Sequence, residues 1–349
     1  VLGRPPRPLS VSGLVAQLRA TAVDPRRPAA LRAAATRRLA VLAGAVDADG
    51  RALVASAHPD RWWGVLDPTS SEQPVRPVDE PLSLSGSQLS GLSVCPLRWF
   101  LEHESSATVA RTTALGFGSI VHVLADHVAR GELPADLDVL EEQVDRVWGE
   151  LGFEATWQST VERREASLAL KRFLAWHSGR PDRTFVASEH QFDVELPVGE
   201  QGVRLRGSFD RVEVDADGGV HVADLKTSKS KPTGTDLERH PQLGVYQAAV
   251  QAGALDPLPD DVRAAAGLPA PGEPVVVAGA ELVMLRLDSH GDPTVAAQDA
   301  LPPDGSWVDT ALADVDARVR REDFVARPGT QCRFCALRRT CPASDEGQE

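Results

Sequence analysis

Leu, Val and Ala recur at helical spacing over residues 10–22 and again over 28–43. The pattern predicts two helices there. Residues 67–81, "DPTSSEQPVRPVDEP", lack periodicity and are rich in Pro and Ser, so they read as a linker. Beyond them, "LSGSQLSGLSVCPLRWFLEH" predicts a short helix capped near Ser85, a break at Cys95-Pro96 and a second helix. Helical spacing continues over 114–130, about 137–150 and 158–178. The pattern then changes to β-branched and aromatic runs at 184–196, 203–214 and 219–227, with the turn signal "DADGG" at 215–219. A helix over 241–253, a strand over 274–287 and a last helix near 306–321 complete the pattern. It predicts an α/β core in which a central sheet is flanked by helices. The boundaries are 1–66 for a helical segment, 67–81 for the linker and 82–349 for the main domain.

Composition narrows the function. The chain has 349 residues, 42% of them hydrophobic, and a formal net charge of −13. That charge argues against an autonomous nucleic-acid clamp, which is usually basic. It is compatible with a metal-dependent DNA enzyme fed by a partner, because metal sites need carboxylates. No apolar run is long enough to span a membrane, and the opening "VLGRPPRPLS" has neither Met nor a signal pattern. The chain reads as a cytoplasmic protein and as a piece of a longer one. Only four lysines occur among 37 basic residues, and Lys226, Lys229 and Lys231 fall within "HVADLKTSKSK", 221–231.

That cluster follows an apolar run ending in Asp224. Counting outward from the turn puts Asp210 opposite Asp224, within a residue, so two carboxylates are expected on one sheet face. Lys226, two residues on, shares the face of Asp224. Two acids and an ammonium at one spot suit a divalent cation with oxygen ligands and a lysine beside an attacking water. Lysine suits this better than arginine, since it is a compact charge whose pKa falls on burial. Gln242 and Tyr246, the only tyrosine, lie four apart on one side of the following helix. His122 lies on a helix in "GFGSIVHVLADHV".

The four cysteines are Cys95, Cys332, Cys335 and Cys341. Three form C-x2-C-x5-C and the fourth lies far upstream, which reads as one four-thiolate site. Structural zinc and a [4Fe–4S] cluster compete for it. Zinc sites usually come as two close pairs, so three plus one favours iron–sulfur. Either would tie the start of the domain to its end.

These motifs in this order resemble the RecB-family nucleases of the PD-(D/E)xK fold, in the subgroup with an iron–sulfur staple. That subgroup includes the nuclease regions of AddAB- and AdnAB-type helicase–nucleases. The pattern is carried by His122, "GSFD" with Asp210, "DLK" with Asp224 and Lys226, "QLGVY" with Gln242 and Tyr246, and the four cysteines, from about residue 82 to 342. The resemblance implies a restriction-endonuclease-like mixed sheet and a single-stranded-DNA nuclease, with a helicase motor on the same longer chain and a partner subunit. It implies Mg²⁺ or Mn²⁺ held by Asp210, Asp224 and His122, catalysis through Lys226 with support from Gln242 and Tyr246, and the cluster on the four cysteines. Glu189 resembles an additional acidic position. Residues 8–45 and "DRWWG" resemble the segment joining helicase to nuclease. No lysine follows a glycine, so no Walker A motif is present and no ATPase activity is expected of this chain. The alternatives are a non-catalytic scaffold and a zinc-stapled binding module.

Overall fold

A computed structural model describes residues 10–62, 71–105, 107, 113–153, 155–302 and 306–348. Trp63 and positions 67–70 of the expected linker lie outside the described residues. The chain divides into two compact units, Val1–Gln73 and Pro74–Glu349. In the first, helices α1 (Val11–Val23) and α2 (Ala29–Ala43) pack around Val15, Leu39 and Ala57. The Ser10 hydroxyl caps α1 by accepting from Gly13 N.

The second unit runs β1 (Leu82–Leu84), α3 (Gly86–Val94), α4 (Pro96–His103), α5 (Thr113–Ala129), α6 (Leu137–Trp148), α7 (Thr156–Ser178), β2 (Arg183–Leu196), β3 (Val203–Asp215) and β4 (Val220–Lys226). It continues with α8 (Thr235–Glu238), α9 (Pro241–Gln251), α10 (Asp260–Ala265), β5 (Val277–Ser289), β6 (Asp292–Asp299), α11 (Trp307–Arg320) and α12 (Asp345–Gln348). The six strands form one sheet in the order β1-β3-β4-β5-β6, with β2 on the other side of β3. The sheet is mixed. The β1–β3 and β4–β5 pairs are parallel; β2–β3, β3–β4 and β5–β6 are antiparallel.

Two helical layers cover the sheet. Leu89, Leu92, Leu243, Val308 and Leu312 bring α3, α9 and α11 onto one face. Phe117, Val121, Leu140 and Phe173 bring α5, α6 and α7 onto the other, against Ala223, Leu225, Val283 and Leu285. With both faces covered, β5 is apolar on successive residues rather than on alternate ones. No helix among the described residues is long and apolar enough to cross a membrane.

The mixed sheet flanked by helices is the expected one: the antiparallel run ends at β4, and β4 and β5 are parallel, joined by a crossover through α9. One strand differs from the expectation. β6 was not expected: its "PTVAAQD" is weakly β-forming, and pairing with β5 across His290-Gly291 makes it a strand.

Candidate active site

The β3–β4 hairpin turns where "DADGG" predicts. The Asp215 carboxylate accepts from the backbone of Asp217 at 3.0 Å and of Gly219 at 2.8 Å, and Gly218 takes φ 83°, a conformation that favours glycine. The ladder pairs Arg211 with Ala223, so the count continues to Asp210 opposite Asp224 as expected. Past that pair the ladder gives way to a side-chain contact: the Leu225 N–H donates to Asp210 Oδ2 at 2.8 Å.

The alternation that should put Asp210 and Asp224 on one face is broken. Phe209 faces the α9 layer, with its ring 5.4 Å from that of Tyr246. Arg211 faces the α7 layer under Trp176, and Val212 returns to the α9 side. Asp210 reaches toward α5, where His122 Nδ1 lies 3.3 Å from its Oδ2. β2 reverses at the same level: Ser188 bonds Asp126 of α5, while His190 stacks on Phe209. Between them Glu189 adopts φ 44°, a costly backbone for a non-glycine residue and one found at functional sites.

The consequence is a redistribution of the expected ligands. His122, Glu189 and Asp210 present donor atoms within 4.8 Å of one another; among the described residues Asp224 does not join that group. Its carboxylate is held from the α9 side instead. Oδ1 accepts from Gln242 Nε2 at 2.8 Å and from the Tyr246 hydroxyl at 3.1 Å. Lys226 Nζ lies 2.7 Å from Oδ2 and donates to Gln242 Oε1 at 2.9 Å. Gln242 therefore bridges the acid and the lysine, and the i,i+4 spacing to Tyr246 closes the network through a further bond at 2.8 Å. Asp224 Oδ2 is buried and, despite the ion pair, receives no well-aligned hydrogen bond. Lys226 does share the face of Asp224, as the period of two requires.

The electrostatics show a site short of positive charge. Burial, then the Asp224 charge, push Asp210 up to about 7; His122 and the Leu225 N–H pull the other way. Burial disfavours the charged form of His122, but the Glu189 carboxylate, 3.8 Å from Nδ1, and the charges of Asp210 and Asp224 outweigh that and raise its pKa. Burial and Asp224 hold the Tyr246 hydroxyl protonated far above its ordinary range. One imidazole and carboxylate oxygens at this spacing fit a divalent cation.

His240 is a neighbour that no motif in the sequence marks. It precedes Pro241 at the start of α9, and burial, then Lys226, hold its pKa down. Its Nδ1 is buried without a partner. The position directly before "PQLGVY" was the available signal. On the other side of α9, a Cβ on Gly86 would lie 2.9 Å from Gln242 Cα. Glycine there lets α3 abut the residue that bridges Asp224 and Lys226.

The four cysteines converge although Cys332 lies 237 positions after Cys95. Together they line one cavity of about 300 Å³. Cys95 sits where α3 ends and α4 begins. Phe324, just past α11, stacks on Trp99 and Phe100 of α4 at 5.9 and 4.8 Å, and Arg327 donates to Ser93 O at 3.2 Å. These contacts dock the C-terminal knuckle against Cys95. All four thiols are free, and no three of their sulfurs lie within 4.8 Å of one another.

Comparison with known proteins gives this geometry a family. A subunit of an ATP-dependent helicase/deoxyribonuclease from Streptococcus mutans is 26% identical over 188 residues, which are 50% of this chain and 17% of that protein. The chain thus spans about a sixth of the length of that curated relative. A crystal structure of SSO0001 aligns with 77% of this chain and 89% of its own at 14% identity and a TM-score of 0.34. The family profile of the PD-(D/E)XK nuclease superfamily matches residues 83–342, from β1 through the last cysteine. That span holds the sheet, both halves of the acidic site and the thiol cavity, and the chain belongs to the PD-(D/E)XK nuclease superfamily.

Proposed function

We propose that this chain is a divalent-metal-dependent deoxyribonuclease domain that hydrolyses phosphodiesters of single-stranded DNA as part of a helicase–nuclease processing DNA breaks. The observation that carries the reading is the pair of adjoining clusters. His122, Glu189 and Asp210 form a cation-sized group. Beside it, Asp224, Lys226, Gln242 and Tyr246 form one hydrogen-bonded network. A purely structural hairpin gains nothing from a buried carboxylate whose proton is held up to about 7.

His122, Glu189 and Asp210 would hold Mg²⁺ or Mn²⁺, with Asp224 lending its charge from the neighbouring position. When bound, the ion supplies Lewis acidity toward the phosphoryl oxygens and the attacking water. Lys226 presents an ammonium whose direction is set by Gln242 Oε1; it orients the water and offsets charge developing on the phosphate. Tyr246 and Gln242 lock the Asp224 carboxylate, so the lysine keeps one position through the reaction.

The helicase and partner-subunit part of the reading rests on the name of the Streptococcus mutans relative. Residues 1–66 would then be the end of a helicase region and 82–349 the nuclease domain. The thiol cavity would hold a [4Fe–4S] cluster. All four cysteines line one cavity, as a single four-thiolate site needs, and the three-plus-one spacing along the chain favours iron–sulfur over zinc.

The test is cleavage of single-stranded DNA by protein purified without air, with Mn²⁺ and with EDTA. Metal-dependent cleavage that is lost in Asp224→Asn and Lys226→Ala is expected. Binding without cleavage by the wild type under every metal tried would turn the reading to a non-catalytic scaffold.

A further inference from the structure

Phe334 is 91% exposed, the largest exposure among the large hydrophobic residues described. It stands inside the cysteine knuckle, in "CRFCALRRTC". Leaving a ring in water forgoes the stabilisation its burial would supply, and the knuckle has an apolar cavity beside it. The ring is not used there: Arg98, Arg327, Arg333 and Arg338 line the cavity with the thiols, whereas Phe334 and Arg339 do not. Service to the thiols therefore leaves Phe334 and Arg339 unexplained.

The charge around the ring is equally out of character. The chain carries −13 overall, yet residues 327–341 hold four arginines and no acid. Arg333 and Arg339 are exposed, and neither has a salt-bridge partner among the described side chains. An exposed ring in a segment that also carries an exposed arginine without a salt bridge is complementary to an anion with flat apolar faces.

We propose that Phe334, with Arg339, is a stacking platform for a base of single-stranded nucleic acid on the outer face of the cysteine knuckle. Stacking is tolerant of sequence because every base offers a π-face, and arginine beside the ring meets the backbone. The placement fits the proposed active site, on which this inference rests for its purpose though not for its test. α3 begins against Gln242 at Gly86 and ends at Cys95. Its 9 residues span about 14 Å. About four stacked nucleotides at roughly 3.4 Å each cover that distance. A strand that follows α3 from a scissile phosphate at Lys226 would meet the knuckle after several nucleotides.

The experiment measures binding without cleavage, by fluorescence anisotropy of labelled oligothymidylates in Ca²⁺, for the whole chain with its thiol-bound metal. Metal content per chain, measured in every variant, reports an intact knuckle. Phe334→Ala is expected to weaken binding of a 20-mer about tenfold or more, the scale of base–aromatic stacking, and Phe334→Trp to restore it. Arg339→Gln should lower the slope of log affinity against log salt by about 0.7. A dinucleotide should bind wild type and Phe334→Ala alike. Unchanged 20-mer affinity in Phe334→Ala with full metal content overturns the proposal, as does an equal loss for the dinucleotide. So do a wild type that binds no 20-mer, and a Phe334→Ala that binds DNA normally but loses a protein partner. A wild type that binds through Phe334 yet never cleaves sinks the nuclease reading alone.

Discussion

Asp210→Asn should make the metal-free protein more stable at neutral pH while removing its affinity for divalent cations. The Asp210 pKa rises from 3.8 to about 7 in the folded protein. Between those values the folded state keeps a proton that the unfolded chain has released, so stability falls as pH rises and the loss is complete above about 7. At 1.36 kcal/mol per unit, a shift of 7 − 3.8 ≈ 3 units costs about 4 kcal/mol. His122 acts in the same direction: its raised pKa gives stability at low pH that is lost as pH rises through that value. The asparagine keeps an oxygen for the Leu225 N–H and never ionises. Urea unfolding in EDTA at pH 5 and pH 8 reads the difference. Two of the three units lie between pH 5 and 7, so the variant's advantage over wild type should grow by about 3 kcal/mol across that interval. Mn²⁺ at a hundred times its dissociation constant should then stabilise wild type by about 2.7 kcal/mol and the variant by far less. Parallel pH profiles, or equal stabilisation by Mn²⁺, would refute the claim that Asp210 is a half-buried carboxylate suited to a cation.

Other outcomes follow from the same geometry. Glu189→Gln should weaken Mn²⁺ binding by calorimetry at least tenfold while Tyr246→Phe leaves it within a few-fold, because Glu189 belongs to the donor group and Tyr246 only holds Asp224. Lys226→Ala should abolish cleavage and lower the unfolding midpoint, since it leaves the buried Asp224 carboxylate without its cation; a variant that cleaves normally would remove Lys226 from the mechanism. Cys95→Ser should lower iron content and stability as much as Cys335→Ser, because both line one cavity; stoichiometric zinc in a colourless wild-type protein would decide against the cluster.

Much of this was legible in the sequence because the signals were local. The turn at "DADGG" sets the β3–β4 register, and the register brings Asp210 opposite Asp224. A period of two puts Lys226 beside Asp224, and a period of 3.6 puts Gln242 beside Tyr246. Cysteine count and spacing pointed to one thiol site, and the fold brings all four cysteines to one cavity. What the sequence could not determine is where regular periodicity fails. The left-handed backbone at Glu189 and the reversal at Asp210 turn one acid toward α5 and leave the other facing α9. No pattern of residue types encodes that break, because it arises from packing: Phe209 is drawn under Tyr246 and Arg211 under Trp176, on opposite faces with one residue between them. In the tertiary structure Glu189, and not Asp224, stands within 4.8 Å of the His122 and Asp210 donor atoms, and the tertiary structure alone left Phe334 standing in solvent.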